Sequence, residues 1–579
     1  MEENLLNILI IQIFRLGDAL QLTPVVKSIR TLYPDARISV LASSLGKEIF
    51  KRQDCINDVF VIRKQELTRF AKIPDEQSVN AALELLKADM KPVLSQKWDW
   101  VINLSFSFPS ALLAFLLHCK NNSGFFATTR REYLSGDKWF SYSLASFPNR
   151  KYSIFNWVDI NSNIVGAHRI STSPFFPIDK DEAAWAEDQV REFCPEHNEL
   201  IGIHPGASGN HKRWPIENFI KLAEGLIARQ HKKIVIFGDK SEQGLGMRLE
   251  IALGENALNL TGRTTLGRTA AMMSHCSLVL CNDSGPMHLA SAVGTPIIAL
   301  FFSTYFAETG PYGENHLVLH PMIDCFPCQG TAACFHKRCL TMIPVEAVEK
   351  LIGNRNNIMV RTKEMPEGYP PSVAAYRSRF DPWGFIEWVP GFIRQIDFVT
   401  VYKLILKLSF IPNLINRPME ENDAINFARN FIGYFAPPPD IEEILDRLHM
   451  LLSPIKALET LLAETRDICL ELSTQASRKK INPASIRDLG KRLEIKEDEL
   501  PGHSSPELDM IIKFIEMQRN NISEKDFNRL ASKSVKLYDD SVKLVKELEK
   551  NIRLISGLFK SIEGFDLKNK IEEKKVVEI

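Results

Sequence analysis

Asn282-Asp283-Ser284-Gly285-Pro286-Met287-His288 brings a carboxylate, a hydroxyl, a glycine and an imidazole into one short stretch. It follows the apolar run Leu278 to Cys281 and precedes Leu289-Ala290-Ser291-Ala292, so it falls where a strand hands over to a helix. Open α/β sheets bind phosphorylated ligands at such turns. Ser284 and Gly285 would offer a hydroxyl and a backbone donor to a pyrophosphate, Pro286 fits a first helical turn, and His288 points back toward the cleft. A lone histidine is more often structural, but this one has functional company.

Three further turns carry compatible chemistry. His204-Pro205-Gly206-Ala207-Ser208 follows a strand and leads to Lys212-Arg213-Trp214-Pro215. Small residues such as Ser208 let backbone N–H groups approach a ligand, and Lys212 and Arg213 would offset phosphate charge; the plain alternative is an ordinary loop with solvated cations. Phe237-Gly238-Asp239 ends the next strand, and Glu242 follows where an acid could hydrogen-bond a ribose or base. Near the start, Arg15-Leu16-Gly17-Asp18 ends the first strand, with Thr23-Pro24 inside the following helix. Helix-terminal N–H groups would keep Asp18 ionised near neutral pH, ready to accept a proton, unless it merely caps its helix.

Cys325-x-x-Cys328-x5-Cys334-x4-Cys339, with His320 and His336 close by, is compact enough for one tetrahedral thiolate site holding a structural metal. Free thiols are the alternative, because a cytoplasmic setting disfavours disulfides.

These residues need elements to position them, and the 579-residue chain has room for about three or four domains. Its 71 basic and 71 acidic residues balance, so no global field draws it to nucleic acid or an anionic membrane. Met1-Glu2-Glu3 runs straight into the apolar Leu5 to Ile11, without the basic region and cleavage site of a secretory signal, which predicts a cytoplasmic protein. Val101 to Cys119 lacks charged side chains, yet Pro109 divides it into a strand-like and a helix-like half.

Residues 1–170 alternate strand patterns (Asn7 to Phe14, Arg37 to Ala42) with helical ones (Ala19 to Leu32), the rhythm of a parallel sheet. Residues 171–360 repeat it, with strands at Leu200 to His204, Lys233 to Phe237, Leu278 to Cys281 and Pro296 to Phe301. Two Rossmann-like lobes in tandem follow. Residues 361–579 lose the strand signals; Ile441 to Leu472 and Pro506 to Phe565 read as long helices, with Asp440 and Ser523-x-x-Asp526 as caps. Phe392 to Arg417 mixes apolar residues with Arg394, Lys403, Lys407 and Arg417; it fits a core helix of this extension, or a helix lying on an anionic bilayer.

Arg15-Leu16-Gly17-Asp18 with Thr23-Pro24, then Pro205 to Ser208 with Lys212 to Pro215, then Asn282 to His288, resemble glycosyltransferase family 9, the ADP-heptose:lipopolysaccharide heptosyltransferases, over roughly Asn7 to Gly353. The resemblance implies a GT-B fold of two Rossmann-like lobes facing a cleft, and an inverting transfer without a catalytic metal. It makes Asp18 the base that deprotonates the acceptor. Lys212, Ser284, Gly285 and His288 would stabilise charge on the leaving diphosphate, and Glu242 and Asp283 would position the nucleotide sugar. It offers zinc or iron for Cys325, Cys328, Cys334 and Cys339, since some relatives have a comparable cluster. The implied partners are ADP-heptose and a glycan or glycolipid acceptor at the inner face of the cytoplasmic membrane. The helical extension would contact the membrane, bind a protein partner or self-associate. Two other readings stand beside this one: a protein O-glycosyltransferase, and a non-catalytic sugar-binding scaffold. A nicotinamide-dependent dehydrogenase lacks its G-x-G-x-x-G after the first strand.

Overall fold

The structure is a computed structural model that describes residues 5–72, 75–127, 133–135, 137–167, 173–195, 199–328, 334, 336–355, 364–477, 482–522 and 526–563. The chain divides into two compact units: residues 1–143 with 155–392, and residues 144–154 with 393–579.

The first unit holds two sheets. The first contains β1 (Asn7–Gln12), β2 (Arg37–Ser43), β3 (Asp58–Ile62), β4 (Trp100–Asn103), β5 (Asn122–Ala127) and β6 (Tyr133–Ser135), in the order β3-β2-β1-β4-β5-β6. β1 to β5 pair in parallel, with Ile8 opposite Ile38 on one side and Trp100 on the other. The second contains β7 (Leu200–His204), β8 (Lys233–Ile236), β9 (Ala257–Asn259), β10 (Leu278–Asn282), β11 (Ile297–Leu300), β12 (Leu317–Pro321), β13 (Val373–Phe380) and β14 (Ile386–Pro390), in the order β14-β13-β12-β11-β10-β7-β8-β9. β1, β7 and β10 lie between neighbours on both sides and read as near-continuous apolar runs because helices cover both faces.

In each sheet the strand order reverses at one place, between β1 and β4 and between β7 and β10. The crevice beyond the carboxyl ends of such strands is where doubly wound sheets take ligands. The turns after β1, β7 and β10 are three of the four polar turns singled out in the sequence, and the fourth follows β8.

Two boundaries differ from the sequence reading. The helix expected over Ala19 to Leu32 is two helices, Leu16–Gln21 and Thr23–Leu32, because Pro24 stands in the first turn of the second, where its missing N–H costs nothing. Residues 364–392, placed by the sequence with the helical extension, instead add β13 and β14 to the second sheet by antiparallel pairing.

The second unit is helical among its described residues. Its longest members, Ile441–Ala476 and Phe527–Glu563, pack together. Ile444, Leu448, Leu451, Ile455, Leu458, Leu462, Thr465, Cys469, Leu472 and Ala476 are buried at alternating steps of three and four, the 3.5-residue period of a coiled-coil seam. Asp440 caps the first helix, accepting from the Glu443 N–H at 3.0 Å. Ser523 lies outside the described residues; Asp526 accepts from the Arg529 N–H. The region expected as one helix from Pro506 to Phe565 breaks between Asp509–Asn520 and Phe527–Glu563. Phe398–Leu414 is buried along most of its length, Lys407 included, so it is a core helix and its apolar face is not free for a bilayer. Among the described residues no helix is long and apolar enough to cross a membrane.

Candidate active site

The turn after β1 meets the turn after β10. A Cβ built on Gly17 would stand 2.6 Å from the Cδ2 of His288, so only glycine fits there, and Gly285 lies against the Leu16 side chain. Asp18 follows Gly17 on the six-residue helix Leu16–Gln21 and accepts the backbone N–H of Arg15 at 3.3 Å. Burial raises the Asp18 pKa above the ordinary carboxylate value; the Arg15 N–H and the Arg15 and Lys64 charges oppose this, and the Asp283 carboxylate adds to it. The helix-terminal donor expected from the sequence is present, but it is not the larger influence on this group. Desolvation outweighs one long hydrogen bond, and the result is a more basic carboxylate.

On the second lobe, Lys212 Nζ lies 2.5 Å from Asp283 Oδ2, and the Thr304 hydroxyl donates to the same oxygen at 2.6 Å. Burial pulls the Asp283 pKa up, but the Lys212 charge and these hydrogen bonds hold it below the usual range. His288, in the helix Gly285–Ala292, is buried; desolvation lowers its pKa to about 4, against the attraction of Asp283 and with help from Lys212. Its ring is neutral at neutral pH, and its Nδ1 has no hydrogen-bond partner among the described residues.

A second polar chain runs beside this one. His204, at the end of β7, places Nε2 3.1 Å from Glu242 Oε2 and Nδ1 3.2 Å from Ser284 Oγ. Glu242 also accepts the Asp239 N–H and lies over Gly206, where any Cβ would overlap its carboxylate. Burial raises the Glu242 pKa, but the His204 hydrogen bond and charge lower it further.

Ser208 is exposed on its loop, and Arg213 donates to the Ala207 carbonyl at 3.1 Å. Asn282, read from sequence only as part of a turn, is fully buried and fastens the site. Its Nδ2 donates to the carbonyls of Pro205 and Gly206, and its Oδ1 accepts the Trp214 N–H at 3.0 Å. Three residues near the site escaped the sequence reading. Thr304 holds Asp283, Lys64 lies 4.2 Å over the Phe14 ring within the field of Asp18, and His204 was read only as part of a turn. His204 and Asn282 share a signal that could have found them, since both end strands flanking the reversal in the second sheet.

The structure gives no support for a metal at the cysteine cluster. Among the described residues no group of three or more His, Cys, Asp or Glu side chains is placed to hold an ion. Cys325 is exposed, Cys328 and Cys334 are half-buried, and burial, with the neighbouring thiols, pushes the buried Cys339 up to about 11. His320 is stacked on Phe326, ring centroids 4.3 Å apart. The structural zinc or iron expected from the spacing is unsupported.

Two Rossmann-like lobes whose switch-point turns meet near a carboxylate, a lysine and a histidine form the GT-B architecture. Residues 88–338 match the model of glycosyltransferase family 9 (heptosyltransferase). The chain is 26% identical over 343 residues to lipooligosaccharide heptosyltransferase 2 of Campylobacter jejuni, covering 58% of this chain and 93% of that protein. It is also 26% identical to the Haemophilus influenzae lipooligosaccharide heptosyltransferase 2, covering 54% and 88%. A solved family 9 glycosyltransferase from Veillonella parvula is 24% identical, covers 61% of this chain and 98% of its own, and superposes with a TM-score of 0.49. The family match lies almost wholly in the two-lobed unit, and the protein is a glycosyltransferase.

Proposed function

We propose that this protein transfers heptose from ADP-heptose to a lipopolysaccharide core or related surface glycan, with inversion, in the cytoplasm. The observation that carries this reading is the half-buried Asp18 carboxylate, next in the chain to the glycine that meets His288, made more basic by desolvation and by the field of Asp283. Asp18 takes the proton of the acceptor hydroxyl; that oxygen bonds to the anomeric carbon as the carbon–oxygen bond to the diphosphate breaks. General-base help of this kind contributes about 10²- to 10⁴-fold. Lys212, the Ser284–Gly285 turn and His288 meet the charge left on the diphosphate, with Ser208 and Arg213 at the rim, while Glu242 orients the nucleoside. Asp283 acts through Lys212, fixing its ammonium, rather than by touching the sugar itself. The first lobe receives the acceptor and the second the donor. The names of the sequence relatives, which are lipooligosaccharide and lipopolysaccharide heptosyltransferases, support this choice of sugar and acceptor.

The experiment pairs purified protein with ADP-heptose and a heptose-deficient core acceptor, reading ADP release and acceptor mass. One heptose added per ADP released is expected. ADP release independent of acceptor, or transfer from a UDP-sugar alone, would overturn the assignment.

A further inference from the structure

We propose that His204 is a positioning residue of the donor site, holding the Glu242 carboxylate with one ring nitrogen and the Ser284 hydroxyl with the other; the inference rests on the reading of Glu242 and Ser284 given above. His204 ends β7, and β7 lies between β8, whose following loop supplies Glu242, and β10, whose following turn supplies Ser284. The ring is 2% exposed and bridges two groups that belong to separate elements.

An ionised carboxylate only accepts, so Nε2 carries the hydrogen that reaches Glu242. Ser284 Oγ lies 3.2 Å from Nδ1 and donates to the Asn282 carbonyl at 3.1 Å. Ser284 is the N-cap of Gly285–Ala292, a position where serine ordinarily bonds the first-turn amides of its own helix. Here the side chain makes no such bond. His204 and the Asn282 carbonyl draw the hydroxyl away, which leaves the amide end of the helix for an anion. On the other side, Nε2–H fixes Glu242 where the Asp239 N–H also meets it.

The two arms can be separated by size. The amide of Asn reaches about as far as Nδ1, and that of Gln about as far as Nε2. His204→Gln thus keeps the Glu242 arm and loses the Ser284 arm, and His204→Asn does the reverse. Isothermal titration with AMP and ADP reads the two arms, since both probes carry the nucleoside and only ADP carries the diphosphate. For His204→Gln we expect AMP affinity near that of the unmodified protein and ADP affinity about tenfold weaker, the size of one hydrogen bond to a charged group. For His204→Asn we expect AMP and ADP to weaken together, about tenfold. Melting temperatures measured alongside confirm that each variant is folded. Affinities within twofold of the unmodified protein in both variants, or equal losses for both probes in both variants, would overturn the proposal. Failure of the unmodified protein to bind ADP would instead overturn the donor assignment on which it rests.

Discussion

Gly17 of the first lobe lies against His288 of the second so closely that a single added methyl group would sit 2.6 Å from the imidazole. Carbon atoms in contact normally stay ~3.5–4.0 Å apart. Gly17→Ala must therefore displace the His288 ring or part the two turns by about 1 Å, a shift that can cost roughly 100-fold in rate. A fall of that order in kcat, with ADP affinity on the second lobe changed much less, is the expected result. A variant with unimpaired kcat would mean that this approach does not set the reacting geometry.

Lys212 and Asp283 form a pair with side chains only 14% and 8% exposed. Removing one partner of a buried pair leaves an uncompensated charge and costs about 3–5 kcal/mol. Lys212→Met should lower stability in urea by that order, and adding Asp283→Asn should restore most of it without restoring transfer. If the double variant is no more stable than the single one, the pair does not carry the charge balance described.

The raised pKa of Asp18 fixes the sign of a stability effect. A carboxyl group that is harder to ionise in the folded state favours folding at low pH, and that contribution is lost as pH rises through the folded pKa. Asp18→Asn should therefore raise the melting temperature at pH 8 relative to the unmodified protein, and the gain should shrink toward zero as pH falls into the ordinary carboxylate range. A variant destabilised at pH 8 would contradict the burial argument.

His288 should remain neutral through the range in which free imidazoles titrate, since burial lowers its pKa to about 4. Nitrogen NMR of labelled histidine, assigned with His288→Gln, should show a ring that stays neutral down to pH 5. A midpoint near 6.5 would place this side chain in contact with water.

Much of the donor side was legible in the chain because β7 and β10 are short apolar runs ending in polar, glycine-containing turns, a local pattern. β9 was not, since the three residues Ala257–Asn259 are too few to display a period. β13 was hidden by its charges. Arg379 faces Glu387 across the β13–β14 ladder and pairs with it at 2.5 Å, a neutralisation visible only once the strands are paired. The same holds for the site. The partners of His204 lie 38 and 80 residues away, so its turn showed a histidine but not its contacts. The cysteine spacing shows closeness along the chain only, and among the described residues no group of three or more ligating side chains is placed to hold an ion.

The most direct test is the turnover of Asp18→Asn, measured with saturating ADP-heptose and core acceptor alongside its ADP affinity. The carboxamide keeps the shape but cannot take the proton, so kcat should fall by about 10²- to 10⁴-fold while the ADP dissociation constant stays within about twofold. Turnover within a few-fold of the unmodified protein would show that Asp18 is not the base.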